Sequence, residues 1–119
     1  MILEVLKQEF SICEVADISC VDFSDAVLFV GKTDEEVSVV CQSASVPTNA
    51  IRCDGGWRAF RVQGELETGI LAGIASVLSD ANIGIFAVST YRTDYILTKK
   101  EAFDRALSAL TAAGYDVLR

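Results

Sequence analysis

The sequence predicts an α+β fold with two unequal halves, and three observations carry that prediction. Apolar residues alternate at period two before residue 50, and they repeat twice at helical spacing after residue 69. The charge is also lopsided. The 119-residue chain has 17 acidic and 10 basic side chains, a formal net charge of −7; residues 1–50 hold nine acids and two bases, and residues 51–119 hold eight of each.

The first half reads as strands. Leu3 and Val5 flank Glu4, and Phe10 and Ile12 alternate with Ser11 and Cys13, the pattern of strands with one buried face. Ala26–Val30 and Val37–Cys41 are apolar and β-branched, and the polar turn-forming run Gly31–Glu36 between them predicts a hairpin. No segment here has an apolar stripe at helical spacing. The only proline, Pro47, lies in the polar stretch Ser43–Asn49, and Asp54-Gly55-Gly56 follows. These breakers predict a boundary between a mostly β subdomain over 1–50 and a second domain over 56–119.

The second half changes period. Trp57–Val62 reads as a strand. Ile70, Leu71, Ile74, Val77, Leu78 and Ala81 form one stripe of a helix, and Ala72, Gly73 and Ala75 are small enough for it to lie close to a sheet. Asn82 suits the left-handed conformation that ends a helix, and Gly84 opens the next strand. Ile85–Val88 and Tyr95–Leu97 are strands joined by Ser89–Asp94. Thr98 and Glu101 have capping-box spacing ahead of a second stripe, Phe103, Ala106, Leu107, Leu110 and Ala113. Gly114 stops that helix, and Tyr115–Leu118 is a last strand. The order βαββαβ, with both helices on one face, is a ferredoxin-like sandwich.

Composition narrows the function. With no histidine, serine–histidine and cysteine–histidine catalysis and histidine-ligated metals are excluded. The acidic balance opposes binding to a nucleic-acid backbone. Apolar runs fall short of the ~20 residues that span a bilayer, so no membrane partner is expected. No export signal follows Met1, and a cytoplasmic location is expected. Cys13, Cys20, Cys41 and Cys53 form no close-set pair, so they are expected to be reduced, buried hydrophobes rather than zinc ligands or disulfides.

No constellation has the marks of catalysis, and no cofactor is expected. Glu65 and Glu67 stand two apart, as acid–base partners or as a solvated strand end. Gly31-Lys32-Thr33 lacks the earlier glycine of a phosphate loop. The best physical candidate for a site is Gly64–Ile70, which runs from a strand into a helix whose first amides lack internal partners. Such a start favours a carboxylate, and Gly69 permits close approach. Thr68 is the expected N-cap, or it offers its hydroxyl to a ligand. An accompanying ammonium would need acceptors, for which Glu65, Glu67, Asn82 and Asp94 are available. Asp94 reads equally as a turn residue, and Tyr91 and Tyr95 as packing residues.

Gly69–Thr90, followed by Thr93–Leu97 and preceded by Gly56-Trp57-Arg58, resembles an ACT domain. The likeness is to the ACT modules of aspartate kinases and to small tandem-ACT proteins akin to cytosolic arginine sensors. It covers residues 56–118 well, and residues 1–50 resemble a truncated, mostly β ACT-like unit. The resemblance implies a non-catalytic regulatory module, a homodimer that binds a small free amino acid at an ACT–ACT interface and acts on a separate enzyme. Its ligand residues would be Glu65, Leu66, Glu67, Thr68, Gly69 and Ile70, with Asn82, Ile83 and Gly84 from across the interface. Asp94, in the Ser-Thr-x-x-x-Asp spacing, would receive the ligand. ACT modules also persist as dimerisation elements without a ligand.

Overall fold

The computed structural model describes residues 1–64 and 67–119. The chain divides into two compact units. An inserted unit spans Gln8–Trp57, and an outer unit combines Met1–Lys7 with Arg58–Arg119. The first strand therefore belongs with the second half, not with a subdomain over 1–50. The division falls within one long strand, β5 (Ala50–Gln63), rather than in a linker. Asp54-Gly55-Gly56, expected as a breaker, lies inside that strand. Gly56 takes φ 77°, and the β2–β5 register shifts between Phe10 and Ile12, so the glycines accommodate a bulge.

In the inserted unit, β2 (Phe10–Val15), β3 (Phe29–Lys32) and β4 (Val37–Gln42) join residues of β5 in the order β3-β4-β2-β5. The expected β3–β4 hairpin forms, but its first strand is Phe29–Lys32 rather than Ala26–Val30, so Gly31 and Lys32 belong to the ladder and not to the turn. The Thr33 amide donates to the Glu36 carbonyl at 2.9 Å, and the Thr33 hydroxyl accepts from the Glu35 amide at 3.1 Å. Cys13, Val15, Val39 and Cys41 share one buried face with Val21, Leu28, Val37 and Ala50.

The expectation that all four cysteines are reduced is corrected here. Cys13 and Cys53 oppose each other directly in the antiparallel β2–β5 ladder, with Cα atoms 4.1 Å apart, and they form a disulfide. Cys41 is free and buried, and Cys20 is free and exposed.

The outer unit holds β1 (Ile2–Val5), the remainder of β5, α1 (Ile70–Asp80), β6 (Phe86–Ser89), β7 (Asp94–Lys99), α2 (Lys100–Ala112) and β8 (Asp116–Leu118). Its strands run β6-β7-β5-β1-β8. β1 lies between β5, which it meets antiparallel, and β8, which it meets in parallel. The strand-helix-strand-strand-helix-strand order of a ferredoxin-like sandwich is present, with β1 added inside its sheet. Ile70, Ile74 and Leu78 of α1 and Phe103, Ala106, Leu107 and Leu110 of α2 pack with Leu3, Phe60, Val62 and Ile96 in one core. The two stripes read from spacing are the two buried helix faces.

The helix ends show which sequence signals operate. α1 closes with Asn82 at φ 59°; the Asn82 amide bonds the Ser79 carbonyl and the Ile83 amide bonds the Leu78 carbonyl, each at 2.9 Å. Arg105 of α2 donates to the Ala81 carbonyl at 2.7 Å, placing a cation at the negative end of α1. Gly114, at φ 101°, closes α2 with the equivalent pair of backbone bonds. The expected capping box is absent. Thr98 is fully buried within β7, its hydroxyl donates to the Lys99 carbonyl, and the N-cap position of α2 is Lys99, whose side chain makes no capping bond.

Two outcomes follow. Asn82→Val should lower unfolding stability by about 1–2 kcal/mol in urea titration, whereas Asn82→Gly should nearly preserve it, because only the former strains a left-handed residue. Thiol titration of the unfolded, unreduced chain should find two reactive cysteines, rising to four after reduction. In the folded chain Cys20 should react first: a hydrogen bond with Thr48 lowers its pKa, whereas burial raises that of Cys41.

Candidate functional site

The strand-to-helix corner that the sequence singles out is exposed at its described loop residues. Glu65 and Leu66 lie outside the described residues, while Glu67, Thr68 and Gly69 are all exposed. Thr68 is not the N-cap. Gly69 occupies that position at φ 87° and ψ 0°, and it has no side chain with which to cap the helix. The left-handed turn at Gly69 leaves Thr68 outside the first turn, whose first intrahelical bond runs from the Gly73 amide to the Gly69 carbonyl at 2.9 Å. The amide end of an 11-residue helix thus begins beside an exposed residue with no side chain, its Ile70 amide donating to the Glu67 carbonyl at 3.4 Å. Ile70 turns its side chain into the core, so it can meet a ligand only through its backbone.

Asn82, Ile83 and Gly84 sit at the far end of the same helix, about 16 Å from its start. Within one chain the two groups are not brought together. Asn82 is committed to ending α1 and Ile83 is buried beside Leu78, whereas Gly84 is exposed. Asp94 opens β7 opposite Ser89 of β6 and is only 6 % exposed. The Ser89 hydroxyl donates to its Oδ1 at 2.5 Å, a contact within the β6–β7 hairpin.

A cavity of about 490 Å³ lies beside the end of β5, and it draws on other residues. Arg61, Val62 and Gly64 form one wall, Thr90, Tyr91, Arg92 and Thr93 of the β6–β7 turn form another, and Tyr95 completes the lining. Alternation along β5 explains the first wall: Phe60 and Val62 turn their side chains to the helices, and Arg61 points the other way. Its Nε donates to Glu4 Oε1 at 2.9 Å and its Nη1 to the Tyr95 hydroxyl at 3.2 Å. Gln63 Nε2 adds a bond to the same Glu4 oxygen at 3.1 Å. The turn wall is equally fixed. The Thr90 amide donates to the Thr93 carbonyl at 2.8 Å, and the Thr93 hydroxyl ties the turn to the Val62 carbonyl at 2.6 Å.

Sequence reasoning left Arg61 and Arg92 unassigned. Arg61 was legible as the polar member of an alternating strand, but nothing local pairs it with Glu4, 57 positions earlier. Among the described residues, no group of cysteine, aspartate and glutamate side chains is arranged to hold a metal ion. No described helix is long and apolar enough to cross a membrane.

Comparison with known proteins bears on the whole chain. A family model described as the ACT domain matches residues 52–112. A crystal structure of an Agobacterium tumefaciens protein is 31% identical, with a TM-score of 0.88, over 98% of this chain and 91% of that one. A Vibrio cholerae protein of unknown function, titled a possible transport protein, matches with a TM-score of 0.69 at 19% identity, over 91% of this chain and 85% of that one. The aspartate kinase of Clostridium acetobutylicum, titled an allosteric enzyme, shares the fold at 13% identity and a TM-score of 0.68. That match covers 90% of this chain but 33% of the kinase. No functionally curated protein matches.

The Glu4 network gives a pH prediction. The hydrogen bond from Arg61, then that from Gln63, holds the Glu4 carboxyl below its usual 4.5. A depressed folded value stabilises above the unfolded value and is lost as pH falls through the folded one. The stability advantage of the native chain over Glu4→Gln should therefore be full at neutral pH and should shrink below about pH 4.5. Urea midpoints of both chains across that range check it.

Proposed function

The chain belongs to the ACT domain family, and on that premise we propose that it is a regulatory module that binds a small free amino acid where two copies meet. The observation that carries this reading is the exposed start of α1 at the left-handed Gly69, a residue with no side chain to cap the helix. A ligand carboxylate there accepts from the amides of the first turn and is favoured by the positive end of the helix dipole, about half a unit charge. The left-handed Gly69 supplies the close approach, and Thr68 supplies a hydroxyl. Glu65, Glu67 and Asp94 are the acidic acceptors proposed for the ammonium, and Leu66 and Ile70 belong to the same loop.

The second half of the site comes from another copy. Asn82, Ile83 and Gly84 are a helix length away within one chain, so they contribute only if a partner presents them. Ile83 then acts through its backbone carbonyl, since its side chain is in the core and its amide bonds the Leu78 carbonyl. Occupancy is transmitted by favouring one arrangement of the two copies over another, and a separate enzyme is the proposed recipient of that change.

Thermal melts against the twenty amino acids test this. An effective ligand at 100 times its Kd should add about 2.7 kcal/mol of stability. Gly69→Val and Gly84→Val should each abolish the shift while the chain still folds, and an equimolar mixture of the two variants should recover part of it. A panel flat to millimolar concentrations refutes amino-acid binding. Full binding by each variant alone refutes a site shared between copies.

A further inference from the structure

We propose that the cavity between β5 and the β6–β7 turn is a second binding site, one that takes a small oxyanion, phosphate or carboxylate, attached to a flat ring. Among the described residues its lining contains two arginines, two tyrosines and no acidic residue, in a chain whose net charge is −7. Gly64 adjoins the loop of the amino-acid site proposed above, but none of the described residues proposed to contact that ligand lines this cavity, and the inference does not depend on that reading.

The two arginines have different situations. Arg61 is held in place by Glu4 and by the Tyr95 hydroxyl, and its guanidinium lies 5.8 Å from the Tyr95 ring centroid. Glu4 offsets its charge, so Arg61 serves mainly as a positioned donor. Arg92 is exposed on the opposite wall and has no ion pair or hydrogen bond in the described structure. It is therefore the cation that a ligand would neutralise, and its planar fork suits an oxyanion.

The walls are fixed before any ligand arrives. The Thr93–Val62 bond fastens the turn carrying Arg92 to the strand carrying Arg61, and the Thr90–Thr93 bonds close the turn itself. Rigid walls reduce the ordering cost of binding. Tyr91, at the tip of this closed turn, is 102 % exposed and contributes nothing to the core. An aromatic ring held in water at the mouth of a cationic cavity is suited to stacking on a planar ligand group.

Isothermal titration of the full chain with phenyl phosphate, benzoate, inorganic phosphate and phenol tests the proposal. Phenyl phosphate or benzoate should bind saturably and more weakly as salt rises, and phenol should not bind. Whichever of the two binds tighter identifies the oxyanion. Arg92→Gln should weaken that binding about tenfold or more, and Arg92→Lys should restore part of it. Tyr91→Ala should weaken phenyl phosphate about three- to tenfold while leaving inorganic phosphate unchanged. Gly69→Val should bind phenyl phosphate like the native chain. The proposal is overturned if neither aromatic anion binds at millimolar concentration, or if Arg92→Gln binds as well as the native chain. It is also overturned if sedimentation shows that Arg92→Gln and Tyr91→Ala change only the oligomeric state, which would make the turn a contact between copies.

Discussion

The outer unit rests on the backbone ladders of its first strand. Ile2–Val5 pairs with β5 on one side and β8 on the other, so residues from the start of the chain hold together two strands that come more than fifty positions later. Leu3, fully buried, faces both helices from this strand, while its neighbour Glu4 turns to the opposite face and fixes Arg61. The period of two that puts Leu3 in the core is thus what places Glu4 under the cavity wall. A one-residue slip of β1 would remove both at once.

Much of this architecture was legible because it is local. Both helices were readable from their stripes, the β3–β4 hairpin from its turn, and the end of α1 from Asn82. The misreadings share a cause: a local motif overruled by its tertiary setting. Thr98 has the right distance from Glu101 for a capping box, but β7 extends to Lys99 and buries the threonine, so its hydroxyl cannot reach the helix start. Asp54-Gly55-Gly56 has breaker composition, yet β5 runs through it because a bulge uses the glycine that a turn would have used. The Cys13–Cys53 pair depends on strand register across a separation of 40, and nothing in the spacing of the cysteines reports register. Nor does alternation around Glu4 say which strands flank it.

The site divides along the same line. Gly69 could be read as the start of α1 because a glycine ahead of an apolar stripe has a local meaning, and its left-handed conformation explains the misplaced cap at Thr68. Asn82, Ile83 and Asp94 each carry a packing or capping duty that sequence alone could not separate from ligand contact. Ile83 shows the difference best: its amide and its side chain both serve to close α1. Arg61 and Arg92 were invisible as a pair, since they are joined by the tether from Thr93 to Val62 and not by any spacing.

The packing of α1 also dictates how an event at its start would be felt elsewhere. Ile70, Ile74 and Leu78 lock one face into a close-packed core along the whole length of the helix. Its C-terminal end is held by Arg105 through the Ala81 carbonyl. Midway, Gly73 lies against Tyr115; a Cβ added there would sit 3.0 Å from the tyrosine hydroxyl. Tyr115 leads directly into β8, and β8 pairs with β1. Through Tyr115 and the β8–β1 ladder, the middle of α1 is packed continuously with β1, whose Leu3 lies in the same core as Ile74 and Leu78. A change in the position of α1 would therefore have to be accommodated at the start of β8 and at Arg105, and not in the helix alone.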